Sequence, residues 1–173
     1  DGYEGGKAVV EYFRGLLLTL KGTSSEAMSV SVKWDGAPAV VCGTNPDNGQ
    51  FFVGTKAVFA KAAKINYTKK DIAKNHGTEE LGQKLLKCLV HLKKLNIQGV
   101  VQGDLLYTDE GITRKNIDGK PHLTFTPNTI TYAVPEGSEL SKQIDRAKLG
   151  IIFHTTYTGD SLATMNAQGG ADV

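Results

Sequence analysis

The segment Val32–Gly36 places a lysine, a carboxylate and a glycine within four consecutive positions. Lys33 ends a stretch of alternating residues, Asp35 follows two positions later, and Gly36 allows a ligand to approach the backbone closely. A lysine amine that is desolvated, or that lies close to other cations, has a lowered pKa and becomes a nucleophile near neutral pH. The pattern therefore predicts a lysine nucleophile. The alternative interpretation is a surface lysine ahead of an Asp-Gly turn, in which Asp35 only accepts a backbone N–H.

A second carboxylate, Asp104, lies inside the apolar segment 100–107. A buried carboxylate without a partner is costly, and this cost favours a functional role for Asp104. His154 lies in another apolar segment, where simple alternation places it on one face with Ile152 and Thr156, and it is a candidate pocket residue without assigned chemistry. Three further residues are interpreted as structural: His91 as a partly buried histidine, and Cys42 and Cys88 as small core residues.

Lysines are concentrated between Lys56 and Lys74, where six of them accompany a single acid, Asp71. The whole chain has a formal net charge of only +2, with 20 Lys+Arg against 18 Asp+Glu, which does not by itself indicate a nucleic-acid-binding protein. The cluster has two interpretations, a solvated loop and helix face or a surface that contacts phosphates.

The elements that must position these residues follow from the apolar periodicity and the turn residues. Helical spacing predicts helices over 7–20 and 139–148, and over 69–95 with a break at Gly77-Thr78. Alternation and turn residues, including Asp118-Gly119, predict strands over 28–33, 39–43, 51–53, 100–107, 113–117, 122–126, 130–134 and 150–157. Hairpins dominate, and helices do not alternate regularly with strands. The fold class is therefore α+β, with mostly antiparallel sheets flanked by helices.

Length and composition agree with a globular protein. The chain has 173 residues, of which 40% are hydrophobic and 22% charged, and no apolar run is long enough to span a bilayer. Two cysteines are too few for a disulfide framework, so we expect a cytoplasmic protein without a membrane partner. We expect one domain over 1–165, followed by a Gly/Ala-rich tail over 166–173.

Lys33-Trp34-Asp35-Gly36 resembles motif I of the covalent nucleotidyltransferases, which include ATP-dependent DNA ligases, RNA ligases and mRNA-capping enzymes. Val100–Tyr107, with Asp104, resembles motif III of this superfamily, and Thr129–Val134, with Tyr132, is similar to motif IIIa. Lys56 stands where the superfamily often has a basic residue on the strand after motif I. The segments 32–38 and 51–61 together also resemble uncharacterised RNA-ligase-like proteins of tailed bacteriophages.

The resemblance implies a ligase-type adenylation domain and the roles of several residues. Lys33 would attack the α-phosphorus of ATP, favoured over GTP, and form a lysyl-AMP intermediate. Mg²⁺ or Mn²⁺ would neutralise the triphosphate, with Asp35 and Asp104 as metal ligands. Trp34, Asp35 and Gly36 would line the nucleotide site, Lys56 would hold phosphate oxygens, and Asp104 would serve the ribose or the metal. Tyr132 would stack on the base, with Phe52 and Phe125 as competing candidates.

The implied reaction is the sealing of nucleic-acid ends, with RNA favoured over DNA, by a phage-encoded protein in the host cytoplasm. This sequence departs from the superfamily at Pro38, where Arg or Asn is usual, and at Asp104, where Glu is usual. Motif IV (Glu-Gly) and motif V (Lys-x-Lys) are not evident before Val173. Their absence fits a partial domain, and we expect the rest of a longer polypeptide or a separate chain as a partner.

Two alternatives stay open at this point. One is a non-catalytic module of the same fold that binds a nucleotide or nucleic acid, which the departures at Pro38 and Asp104 and the missing late motifs favour. The other is a small globular protein that binds neither, in which the lysines are solvated surface.

Overall fold

The computed structural model describes residues 37–171 and 173. The expected helix over 7–20, the expected strand over 28–33 and the Lys33–Gly36 motif lie outside these residues. The described chain contains a five-stranded sheet in which every neighbouring pair is antiparallel, in the order β2-β1-β3-β7-β8. Its strands are β1 Ala39–Thr44, β2 Phe51–Gly54, β3 Val100–Thr108, β7 Leu149–Thr158 and β8 Asn166–Gly169.

The hairpin between β1 and β2 is closed by a turn that its own side chains organise. The Asn45 Oδ1 atom accepts the backbone N–H of Asp47 at 2.9 Å, and the Asn48 Oδ1 atom accepts that of Gln50 at 2.9 Å. Gly49 adopts φ +70°, a conformation that residues with a Cβ rarely take. The structure therefore confirms the turn predicted for residues 45–49, between two antiparallel strands.

Two helices cover one face of this sheet, α1 Lys69–His76 and α2 Glu80–Leu92. α1 begins with a capping box, in which the Thr68 hydroxyl accepts the Asp71 N–H and the Asp71 carboxylate accepts the Thr68 N–H. The two helices lie within the predicted helical segment 69–95, and the break between them falls at Gly77-Thr78, as predicted. Their apolar stripe packs on alternate sheet residues to form the main core, which consists of Val40, Cys42, Val53, Ile72, Leu85, Cys88, Leu89, Leu92, Ile97, Val101 and Leu105.

A second, three-stranded antiparallel sheet has the order β4-β5-β6, with strands Thr113–Ile117, Lys120–Phe125 and Tyr132–Pro135. Asp118 and Gly119 both have positive φ, 50° and 76°, as a two-residue hairpin turn of this hand requires. Helix α3, Glu139–Arg146, packs with this sheet through Ile144. The resulting core joins Leu106 of β3 to Leu123 and Phe125 of β5.

These elements confirm the α+β class and the antiparallel pairing. Within the segment 166–173, which we expect as a Gly/Ala-rich tail, residues 166–169 form the edge strand β8, which pairs with β7 from Thr156↔Gln168 to Thr158↔Asn166. Its Gly and Ala residues lack the apolar alternation by which strands are predicted, so pairing with β7 decides its conformation. In the described part of the chain, no helix is both long and apolar enough to cross a membrane.

Candidate functional site

The residues that follow the Lys33–Gly36 motif are attached to strand β3 beside Asp104. Lys33, Trp34, Asp35 and Gly36 themselves lie outside the described residues. The Pro38 carbonyl accepts the backbone N–H of Leu105 at 2.9 Å, and Ala39 is the register partner of Asp104. Pro38 precedes the first residue of β1, a position where its missing N–H breaks no ladder bond. The chain that leaves the motif therefore enters the sheet next to the Asp104 carboxylate.

Asp104 occupies the face of the sheet that points away from helices α1 and α2. Its neighbours Val101 and Leu105 lie in the core beneath the helices, and alternation along β3 places Asp104 on the opposite face. The residue is 9% exposed, so its carboxylate is largely removed from water. A carboxylate in this position needs a polar partner, which β7 provides.

That partner is His154, whose Nε2 atom lies 3.5 Å from the Asp104 Oδ2 atom. The other ring nitrogen, Nδ1, lies 2.8 Å from the Thr155 hydroxyl oxygen. Because a polar group lies close to each ring nitrogen, the imidazole has a defined orientation towards the Asp104 carboxylate. The arrangement can hold the Asp104 carboxylate in one position.

A β-bulge in the pairing of β3 with β7 brings His154 to this face. Gln102 is opposite Thr155 and Gly103 is opposite Phe153, so His154 is the extra residue between the two pairs. Thr156, in contrast, is opposite Val101, on the face that the helices cover. The expectation from simple alternation, that His154 and Thr156 share a face, is therefore wrong, because the bulge changes the alternation.

A second polar pair, Gln102 and Tyr157, lies on the same face and was not predicted. The Tyr157 hydroxyl donates to the Gln102 Oε1 atom at 2.7 Å, and burial raises the pKa of Tyr157. The Tyr157 ring also contacts Phe59, with ring centroids 4.4 Å apart. Gln102 precedes Asp104 by two positions, so strand periodicity could have identified it. Tyr157 could not be identified in this way, since it follows the bulge.

Lys56 is exposed and begins the short 3-10 helix that follows β2, two residues after the strand ends. Gly54 at the end of β2 is the register partner of Val41, and β2 runs from there towards the end of the sheet where Ala39 lies. The strand order therefore places Lys56 and Asp104 towards the same end of the sheet. A flexible, exposed ammonium group in this place can act as a point charge for phosphate oxygens.

Tyr132 belongs to the second sheet, where it is half-buried. Its ring stacks on Phe125, with centroids 5.5 Å apart and an interplanar angle of 23°, so one face of the ring already has an aromatic neighbour. The competing candidates are less accessible, since Phe52 is fully buried and Phe125 is 6% exposed. Tyr132 packs in the same cluster as Ile152, the register partner of Asp104 on β7.

The described residues offer few groups for a metal ion. Among residues 37–171 and 173, no cluster of three or more His, Cys, Asp or Glu side chains is arranged for a metal ion. Asp104 supplies one carboxylate, which suits Mg²⁺, because this ion is commonly held by one or two carboxylates together with substrate phosphates. The second predicted ligand, Asp35, lies outside the described part of the chain.

The residues interpreted as structural agree with that interpretation. Cys42 and Cys88 are fully buried, and burial raises the pKa of each thiol to about 12. Neither thiol is therefore an available nucleophile at neutral pH. His91 is half-buried on α2, as predicted.

A family model described as "Family of unknown function (DUF6267)" matches residues 1–173. No curated protein and no solved structure matches this chain.

Proposed function

This chain belongs to the DUF6267 family of unknown function, and we propose that it is an ATP-dependent, ligase-like nucleotidyltransferase. In this proposal, Lys33 forms a covalent lysyl-AMP intermediate, and the nucleotide then activates a nucleic-acid end, RNA in preference to DNA, for sealing. The fold assigned to it is a ligase-type adenylation domain, within the α+β antiparallel class described above.

The observation that carries the proposal is the attachment of Pro38 and Ala39, which directly follow the motif, to the strand that bears Asp104. The Pro38–Leu105 hydrogen bond and the Ala39↔Asp104 register join the segment after Lys33-x-Asp-Gly to β3. Lys33 precedes Ala39 by six residues, and six residues of extended chain span at most about 20 Å. The residues that directly follow the motif-I-like segment thus lie beside the strand that resembles motif III, which supports the proposal of a shared site.

The first chemical step needs an amine without its proton. The Lys33 nitrogen forms a bond to the α-phosphorus of ATP while the bond from that phosphorus to the bridging oxygen breaks and pyrophosphate leaves. The amine loses one proton before the attack and a second as the phosphoramidate forms. In the proposed site, desolvation of Lys33 and the presence of other cations would lower the pKa of the amine and favour this step.

Asp104 and His154 would serve the nucleotide in the same step. A carboxylate that His154 holds in place can accept a hydrogen bond from a ribose hydroxyl or contribute one oxygen to a metal ion. Mg²⁺, when bound, would supply charge neutralisation of the triphosphate. The exposed ammonium of Lys56 would contact phosphate oxygens, and the Tyr132 ring would stack on the base.

Adduct formation tests this proposal directly. The protein is incubated with ATP and Mg²⁺, and its intact mass is then measured. We expect a gain of one AMP in the unmodified sequence and no gain in Lys33→Ala. The matched control is Lys120→Ala, which removes an exposed lysine from β5 and should leave the gain unchanged.

An adduct that persists in Lys33→Ala would remove this residue from the mechanism. The alternative function, a non-catalytic module that binds a nucleotide or nucleic acid, is favoured by one specific observation. Asp104 is one methylene shorter than the usual Glu, and its carboxylate lies beside His154 rather than free. ATP binding without any mass gain would support this alternative.

A further inference from the structure

A polar pocket of about 390 Å³ lies at the end of the five-stranded sheet that is remote from Asp104. Thr44, at the carboxyl end of β1, lines this pocket, whereas Asp104 is opposite Ala39 at the other end of the same strand. The volume falls within the range of pockets that hold small molecules. The lining residues that carry side-chain donors are Thr44, Gln50, Tyr67, Lys93 and Asn96, and the Thr44 hydroxyl already donates to the Ile97 carbonyl at 3.3 Å.

The hydroxyl group of Tyr67 accepts two hydrogen bonds, and its own proton remains available for donation to a ligand. The Asn45 and Asn48 Nδ2 atoms both donate to the Tyr67 hydroxyl oxygen, at 2.7 and 3.0 Å. The orientation of these two amides is not ambiguous, because their oxygens accept the backbone N–H groups of Asp47 and Gln50. The phenol oxygen is thus an acceptor for two donors, and no described residue accepts its own proton.

The remaining donors of the pocket have no anionic partner. Lys93 is the exposed residue that follows helix α2, and no described carboxylate forms an ion pair with it. Gln50 adds an amide group, and no Asp or Glu belongs to the described lining. A cation, a phenol O–H and an amide N–H around one cavity favour a ligand that only accepts hydrogen bonds and carries negative charge.

We propose that this pocket binds a phosphate group through Lys93 and Tyr67. A phosphate presents several acceptor oxygens in different directions, which suits donors that come from the β1–β2 turn, the segment before α1 and the end of α2. The phosphate belongs either to a small molecule, such as inorganic phosphate or a nucleotide, or to a nucleic-acid backbone. This site lies beyond the proposed catalytic function and does not depend on it.

Calorimetric titration with inorganic phosphate tests the site in the full chain. We expect binding in the millimolar range, which Lys93→Gln weakens by about tenfold, because a charge-assisted hydrogen bond is lost. The matched control is Lys94→Gln, since Lys94 is the next residue, equally exposed, and does not belong to the lining. It should change the affinity by less than about twofold, as expected for a lysine that makes no direct contact.

A second variant tests the hydroxyl itself. Tyr67→Phe removes the donated proton but keeps the ring, so phosphate affinity should fall while circular dichroism confirms the fold. The source of the phosphate follows from two further titrations, with AMP and with a short oligonucleotide that lacks terminal phosphates. The ligand that binds more tightly than inorganic phosphate, with the same dependence on Lys93, identifies the natural class.

Three results would overturn the proposal. They are the absence of phosphate binding, equal losses in Lys93→Gln and Lys94→Gln, and loss of phosphate binding in Lys33→Ala. The last result would locate the phosphate at the proposed catalytic lysine instead. Conversely, a protein that forms no AMP adduct but binds phosphate through Lys93 would contradict only the proposed function.

Discussion

At the scale of single residues, the contact between Asp104 and His154 is the main feature of the candidate site that the structure reveals and the sequence does not. Asp104 is 9% exposed, and the Nε2 atom of His154 lies 3.5 Å from its carboxylate. A carboxylate that is buried in this way keeps its position only while its partner is present. We therefore expect the two residues to act together in nucleotide binding.

Substitution of each partner tests this coupling. In the proposed reaction, Asp104→Asn should lower the initial rate of lysyl-AMP formation by about a hundredfold, and His154→Gln by about tenfold, because each change removes one partner of this polar contact. The double variant should lose less than the product of the two, since both changes remove the same interaction. His122→Gln, on β5, serves as the control. If the rate loss in the double variant equalled the product of the two single losses, the two residues would act independently, which would contradict the pairing.

At the scale of elements, a cluster of charges joins helix α2 to the strands. The Asp109 carboxylate bonds to Lys87 of α2 and lies 3.1 Å from Lys148, just before β7, while Lys87 also lies 2.8 Å from Glu110. The hydrogen bond from Lys87, followed by that from Lys148, lowers the pKa of Asp109 to about 2. The cluster thus links three segments that are distant in sequence.

This cluster predicts an acid-dependent loss of stability. The pKa of Asp109 is lower in the folded chain than its ordinary value of 3.8, so its contribution is present above about pH 4 and is lost as the pH falls towards 2. Asp109→Asn should therefore destabilise the protein at pH 7, by about 1 kcal/mol or less because the group is partly solvated. The difference should disappear near pH 2. Denaturant unfolding at both pH values measures it.

Glu110→Gln provides the comparison, because this side chain is far more exposed than that of Asp109. Its effect at pH 7 should be smaller. A destabilisation by Asp109→Asn that is the same at pH 7 and pH 2 would exclude the charge cluster as its cause.

At the scale of the whole molecule, stability depends on the core between the sheet and helices α1 and α2. Leu85 is fully buried there, whereas Leu95, at the end of the helical segment, is 60% exposed. Leu85→Ala should lower the free energy of unfolding by about 2–5 kcal/mol, because it leaves a cavity in a closely packed interior. Leu95→Ala, the same chemical change, should cost less than about 0.5 kcal/mol. If chemical denaturation showed similar losses of unfolding free energy for the two variants, the packing of the helices on the sheet would not be the source of stability.

Much of the architecture was predictable because it depends on local chemistry. The Asp118-Gly119 turn, the Asn45–Gly49 turn and the break at Gly77 each follow from residues that tolerate positive φ or organise turns. The buried face of α2 follows from the helical spacing of Leu85, Leu89 and Leu92. The burial of Cys42 and Cys88 follows in the same way from their apolar neighbours.

The amino-acid sequence by itself determined the α+β class, the hairpins and the presence of a carboxylate at position 104, since each depends on neighbours in the chain. Only the tertiary structure decided that His154 faces Asp104, that Tyr157 bonds to Gln102 and that residues 166–169 become a strand. Each of these features depends on the pairing with β7 and on its bulge. The register between strands that lie some fifty residues apart is set by packing across the whole sheet, and no local pattern encodes it.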